Sequence, residues 1–273
     1  MTAFVLVSGG YTGGWIWRDV TARLRSAGAE AHAVTLTGLG DRRHLAAPGT
    51  DLETHIEDVA QAIDHVDAPE VVLVGYCYGI YPAVGAADRR LDRISRLVHL
   101  DSPMPQDGYS MLDQIREQMP QGEARERMLG MRERAEDGWL LPAPTPEEWR
   151  AHGNLAGVPP EALARLARLA SPMPVGPCEQ KLAVSDAVTT LPATGVFCTT
   201  GGTMDIATLE GLVASGLPLV QHLADPRASF FELATGHWPM LSTPGELADV
   251  LLRAAAGEGH RLGPATAAHH VGQ

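Results

Sequence analysis

The chain predicts an α/β fold: a mostly parallel sheet of about six strands, helices on both faces, and an inserted helical cap. Three observations predict it. Over the first hundred residues, short apolar runs alternate with amphipathic segments of helical period, and such βαβα order builds a parallel sheet. Residues 71–74 (VVLV) are short, β-branched and apolar throughout, as a central strand buried on both faces must be. From 104 to 190 the pattern breaks into helical pieces separated by Pro and Gly, after which strand-like runs resume.

Each element has its own signal. Residues 4–7 form an apolar run closed by Ser8-Gly9-Gly10, which reads as the first strand. Trp17, Val20 and Leu24 repeat at helical spacing over 17–27, and Gly28 supplies the stop. Residues 31–36 read as the second strand, and a polar loop follows over 37–51. Leu52, Ile56, Val59 and Ile63 line one face of a helix over 52–66. The strand at 71–74 enters a tight turn at 75–79 and then another helix, and residues 94–100 give the next strand. Strands at 194–200 and 229–233 and a helix over 244–256 complete the sheet and its cover. These readings divide the chain into a core of 1–103 and 191–257, a cap of 104–190, and a polar, mobile tail of 258–273.

Composition narrows the function. The 273 residues are 45% hydrophobic and 20% charged, enough for one sizeable core with an insertion. A net charge of -12 argues against nucleic-acid and anionic-membrane partners, which need a basic footprint. No apolar run reaches about 18 residues, so no transmembrane helix is expected. The opening MTAFVLVSGG has no positive n-region and no cleavage site, so no signal peptide is expected. Cys77, Cys178 and Cys198 are odd in number and widely spaced, which fits a reducing cytoplasm. The absence of CxxC, HExxH and GxxxxGK[ST] leads us to expect neither a metal nor an organic cofactor.

The chemistry centres on residues 71–79, VVLVGYCYG: a strand, a G-x-nucleophile-x-G turn, then a helix. The two glycines permit a sharp turn that lifts the middle side chain above the sheet. A free Cys is most often a small buried hydrophobe. Here the strand before it and the helix after it mark Cys77 as a nucleophile, and a helix N-terminus beside a His lowers a thiol's pKa. The N–H of Tyr78 gives half of an oxyanion hole, and Gly10, in the Gly-rich loop 8–15, is the candidate for the other half. That loop meets neither GxGxxG nor the Walker pattern. His237, in LATGHWPM between the last strand and the last helix, is the candidate base. His99 lies inside a strand, His55 and His65 on a helix, and His260, His269 and His270 in the tail, so these read as structural or solvated. The acid is open between two carboxylates. Asp205 follows the strand that precedes the His strand, whereas Asp101 stands at the end of the strand after the nucleophile. Asp101 is preferred, because a strand edge holds it rigidly and Asp205 lies several residues beyond its strand. In either place it would fix the His tautomer and stabilise the imidazolium.

The stretches VSGGYTGGWIW, TLTGLGDRRHL, GYCYG and ATGHWPML resemble the methylesterase and hydroxynitrile-lyase branch of the α/β-hydrolase fold, over nearly the whole chain apart from the cap. There are departures. Ser8 stands where that branch carries His in its HG motif, Cys77 replaces Ser, and Ile80 stands where a further Gly is common. A Cys nucleophile, an Asp just past the following strand and a late His are together similar to the Dieckmann cyclases of bacterial polyketide–nonribosomal peptide pathways. That resemblance implies a Cys77-Asp101-His237 triad. It also implies a β-ketoacyl-aminoacyl thioester on a peptidyl carrier protein, closed to a tetramic acid or pyridone. The same residues would serve a Cys-nucleophile thioesterase or carboxylesterase, or a lyase of the hydroxynitrile type. Met111, Met119, Met128, Met131, Trp139 and Trp149 give the cap an apolar lining that would keep water from an acyl-enzyme. Arg42, Arg43, Arg89, Arg90, Arg93 and Arg96 are candidates for a basic patch facing an acidic carrier protein.

Overall fold

The computed structural model describes residues 2–202, 204–216 and 218–263. Strands β1 (Ala3–Val7), β2 (Glu30–Val34), β3 (Val71–Tyr76) and β4 (Ile94–Leu100) come first, and β5 (Leu140–Leu141), β6 (Met173–Pro174), β7 (Ala193–Cys198) and β8 (Ala228–Leu233) follow. Six of them form one sheet in the order β2-β1-β3-β4-β7-β8, and every neighbouring pair is parallel.

The period-two alternation of the strands divides the core between the two faces. Val5, Val7, Val71 and Leu73 pack on one side with Ile56, Val59, Ile63, Ala83 and Val84. Phe4, Leu6, Val72, Val74 and Tyr76 pack on the other with Val20, Leu24, Leu247 and Leu251. The covering helices are α1 (Arg18–Ser26), α2 (Leu52–Asp64) and α3 (Ile80–Arg89). Asp51 caps α2 by accepting from the Thr54 N–H at 2.8 Å, which satisfies one of the free donors at a helix start. Each fully buried Val or Leu on these faces contributes about 1.5–3 kcal/mol of transfer free energy.

Between β4 and β7 the chain forms α4 (Met111–Gln118), α5 (Glu123–Leu129), α6 (Pro146–His152), α7 (Pro160–Leu169) and α8 (Gly176–Glu179). Reciprocal capping boxes start two of them, Ser110 with Asp113 and Thr145 with Glu148. The sequence reads as helical pieces here, yet β5 and β6 pair antiparallel over two residues each. After β7 come α9 (Ile206–Ala214), α10 (Pro218–Gln221), α11 (Pro239–Ser242) and α12 (Pro244–Ala255).

One expectation is corrected here. The tail expected from 258 is docked at its start: Phe230 and His260 exchange backbone hydrogen bonds at 2.8 and 2.9 Å, and Leu262 is buried with Leu209 and Val213. Residues 264–273, with His269 and His270, lie outside the described residues. The basic patch is tied up. Arg42 pairs with Asp58 and Arg90 with Asp64, each at 2.7 Å, and Arg89 pairs with Glu53. Arg93 donates to the carbonyls of Val66, Ala68 and Pro69. Arg96 is buried on Ala193 and Thr194. Arg89 and Arg90 join the end of α3 to α2, and Arg96 joins β4 to β7; Arg43 is exposed in the turn at Gly40–Leu45. Among the described residues, no helix is long and apolar enough to cross a membrane.

Candidate active site

β3 ends at Tyr76, and Cys77 follows in the left-handed region with φ +52°. The turn can be this sharp because of its two glycines. A Cβ on Gly79 would lie 2.4 Å from the Ser8 carbonyl oxygen, and one on Gly75 would lie 2.6 Å from Ile80 Cα. Nothing but hydrogen fits at either place. Ile80, a departure from the related pattern, is the residue that closes over Gly75. The turn leaves Cys77 partly exposed, while Cys178 and Cys198 are buried.

Asp101 stands one residue past β4, also left-handed with φ +43°. Its N–H donates to the Val196 carbonyl at 2.8 Å, and its Oδ1 accepts from the Cys198 N–H at 3.1 Å. The neighbouring strand β7 thus holds the carboxylate in place, and Oδ2 meets Nδ1 of His237 at 2.5 Å. The alternative acid is elsewhere. Asp205 is the N-cap of α9 and accepts from the Thr208 N–H at 2.7 Å.

His237 lies in the loop between β8 and α11. Tyr76 donates its hydroxyl to the His237 carbonyl at 2.8 Å, and the two rings lie 5.0 Å apart. His237 and the Tyr78 N–H lie close enough to the Cys77 sulfur to stabilise its thiolate. Burial pushes the Cys77 thiol up, but the His237 charge, the His237 hydrogen bond and the Tyr78 N–H outweigh it, and the thiol lies below its ordinary range. Burial likewise pushes His237 down, but Cys77 and Asp101 overcome it and raise the imidazole to about 10. Both shifts favour a thiolate–imidazolium pair at neutral pH.

The Gly-rich loop abuts Cys77 through Gly9, whose added Cβ would lie 3.0 Å from Cys77 Cβ. Gly10 faces the cap, with its Cβ position 3.0 Å from Met173 Sδ. Ser8 is buried and donates to the Val34 carbonyl at 3.1 Å, joining the ends of β1 and β2. His55 and His99 are structural, as read from the sequence. A carbonyl can only accept, so His55 Nε2–H donates to Thr37 O at 2.8 Å and Nδ1 accepts from the Tyr78 hydroxyl at 2.8 Å. Among the cap residues, Met111 and Met131 are buried with Tyr78 and Tyr81, and Trp149 packs against Tyr11 and Trp238. Three contributors escaped the sequence reading: Tyr76 beside His237, the Cys198 amide on Asp101, and Asn154, whose carbonyl accepts the His237 N–H at 3.0 Å. Only Tyr76 had a signal, its place next to the nucleophile. Among the described residues, no group of three or more His, Cys, Asp or Glu side chains is placed to hold a metal ion.

A strand–turn–nucleophile–helix at the centre of a parallel sheet, with an acid and a late His at strand ends, is the plan of the Alpha/beta hydrolase family, whose model matches residues 4–250. The chain belongs to this family. A relative from Nocardioides sp. (strain SG-4G), named as a carbendazim hydrolyzing esterase, is 42% identical over 120 residues, which are 44% of this chain and 50% of that protein. The match therefore spans about half of that relative's length. A putative chloroplastic methylesterase 12 of Arabidopsis thaliana is 26% identical over 92% of this α/β hydrolase and 71% of its own length. Among solved structures, an extracellular α/β-hydrolase from a Paenibacillus species superposes with a TM-score of 0.73 at 20% identity, covering 93% of this chain and 99% of that one. Tomato methylketone synthase I gives 0.72 at 21%, covering 93% and 98%. Further relatives from Arabidopsis thaliana are named methylesterase 8, 36% identical over 37% of this chain, and alpha-hydroxynitrile lyase, 34% identical over 37% of this chain.

Proposed function

We propose that this α/β hydrolase is a cysteine-dependent acyl-transfer enzyme that loads its acyl group from a thioester onto Cys77. The carrying observation is the Asp101–His237 contact beside Cys77, with the thiol held low and the imidazole high. The thiol also favours a thioester substrate. In a tetrahedral intermediate the better leaving group departs more readily. From an oxygen ester the alkoxide competes with Cys77 only when His237 gives it a proton. From a thioester the two sulfurs are alike, so acyl exchange proceeds.

The steps balance with these residues alone. Cys77 thiolate attacks the carbonyl carbon, and the new oxyanion takes hydrogen bonds from Tyr78 N–H and Gly10 N–H. Collapse breaks the carbon–sulfur bond to the departing thiol, which receives the proton of His237. Acyl-Cys77 and a neutral His237 remain. The imidazole, oriented by Asp101, then removes a proton from the second nucleophile. Attack of that nucleophile and a second collapse expel Cys77 as thiolate beside a recharged His237.

The identity of the second nucleophile separates two readings. In the first, it is the acidic carbon between a ketone and an amide of the same acyl chain. Carbon–carbon closure then releases from Cys77 a tetramic acid or pyridone whose acyl chain was delivered by a peptidyl carrier protein, a Dieckmann cyclisation. The replacement of Ser by Cys supports it, since a soft enolate attacks a thioester readily and loading is nearly thermoneutral. In the second, the nucleophile is water and the enzyme is a thioesterase or carboxylesterase, which the esterase names of the relatives support. A synthetic β-ketoacyl-aminoacyl thioester decides between them by product mass. Loss of the thiol without gain of water is the expected result for cyclisation. A free acid would establish the second reading. Failure to release any thiol would overturn acyl transfer itself.

A further inference from the structure

The loop that carries His237 is held by the cap as well as by the core. Four successive residues of that loop donate hydrogen bonds to one short cap segment between α6 and α7. Trp238 Nε1–H donates to Gly153 O at 2.7 Å, and His237 N–H donates to Asn154 O at 3.0 Å. Gly236 N–H and the Thr235 hydroxyl donate to Ala156 O at 3.1 and 3.2 Å. The approach is so close that a Cβ on Gly236 would lie 2.4 Å from Asn154 O and 2.8 Å from Ala156 N.

Asn154 is the hub. It is one of the few non-glycine residues in the left-handed region, with φ +41°. Its carbonyl takes the His237 N–H, and its side-chain Nδ2 donates to Thr200 O at 3.1 Å. Thr200 lies two residues beyond Cys198, the end of β7, whose amide fixes Asp101. One cap residue therefore ties down both the loop of the base and the strand end that holds the acid.

We propose that residues 153–156 are the positioning element for His237, with Asn154 at its centre, so that docking of this part of the cap and alignment of His237 between Asp101 and Cys77 are one event. With the segment docked, His237 is held on Asp101 and Cys77 is a thiolate. With it lifted, His237 leaves that line and Cys77 reverts to a neutral, unreactive thiol. The inference rests on the reading of His237 as the partner of Cys77.

The test is the pH dependence of Cys77 alkylation by iodoacetamide, followed by peptide mass, in the native protein and in Asn154→Gly and Gly236→Ala. Glycine suits the left-handed backbone at 154 and keeps its carbonyl, while removing the bond to Thr200. Alanine at 236 drives the two segments apart. The expected result is a native midpoint well below that of an ordinary thiol, raised by about half a pH unit or more in both variants, with the rate at neutral pH falling severalfold. A purely structural role would lower the melting temperature and leave the midpoint unmoved. If the native midpoint is low and both variants share it, the positioning inference is overturned alone. If the native midpoint is that of an ordinary thiol, the pairing of Cys77 with His237 fails and the inference fails with it. Hydrogen exchange on the unmodified protein gives a check independent of folding in the variants. The Gly236 and His237 amides should open in step with the cap segment, and their protection while residues 146–169 exchange freely would contradict the proposal.

Discussion

Cys77 and Asp101 sit at the ends of adjacent strands, and both adopt a left-handed backbone, φ +52° and +43°. That conformation costs an L-residue on the order of 1 kcal/mol or more, and each position uses it to lift a side chain off the sheet edge. For Asp101 the neighbouring strand offsets the cost with two backbone hydrogen bonds, one to its N–H and one to its carboxylate. Asn at 101 could still accept from the Cys198 amide but would hold no charge beside His237. Asp101→Asn is therefore expected to lower kcat by about 10³–10⁴-fold. Asp205→Asn retains a good helix N-cap and should leave kcat unchanged. Steady-state kinetics of the two variants check this, and a large loss in the second alone would contradict the assignment. The sequence left these carboxylates as rivals because either strand end could reach a late His. The deciding contact, a β7 amide on the carboxylate, joins residues 97 positions apart.

The elbow is the element on which the site depends. At Gly79 the requirement is set by backbone, because an added Cβ would meet Ser8 O; at Gly75 it would meet both Ile80 Cα and the Ile80 side chain. Gly79→Ala should destabilise the protein by about 1–3 kcal/mol or more. Gly49→Ala, where an added Cβ meets nothing within 4 Å, should be nearly silent in the same urea titration. Equal midpoints for the two variants would show that the close approach is not rigid. The elbow was legible because glycine spacing and an all-apolar strand are local signals. The six strands were legible for the same reason, although β7 stops at Cys198 and not at residue 200. The cap was legible only as a break in pattern. Its pieces are short, β5 and β6 span two residues each, and the grip of 153–156 on the His loop is made largely by backbone carbonyls, which leave no mark in a sequence. The docking of residues 258–263 on β8 escaped for that reason too, since His260 pairs through its main chain.

At the scale of the whole molecule, buried histidines set the acid limit of stability. His99 is pushed down to about 4 because burial penalises its cation more than the Pro103 carbonyl supports it, and His55 is lowered by burial as well. A folded pKa below the unfolded value means that the unfolded chain binds the proton more readily. The stabilising contribution is then complete above about pH 6.5 and is lost as pH falls toward 4, with an upper bound of about 3 kcal/mol for His99. The urea midpoint should fall between pH 7 and 4.5, and His99→Gln should reduce that fall. An identical fall in the variant would assign acid sensitivity elsewhere.

The central claim is that Cys77 carries the acyl group. Its most direct measurement is the intact mass of the protein quenched during turnover of an acyl thioester, followed by peptide mapping. The expected result is a gain equal to the acyl group alone, placed on Cys77 and absent from Cys77→Ala, which should also release no thiol. Thiol release by Cys77→Ala at the native rate, with no adduct on the native protein, would contradict it.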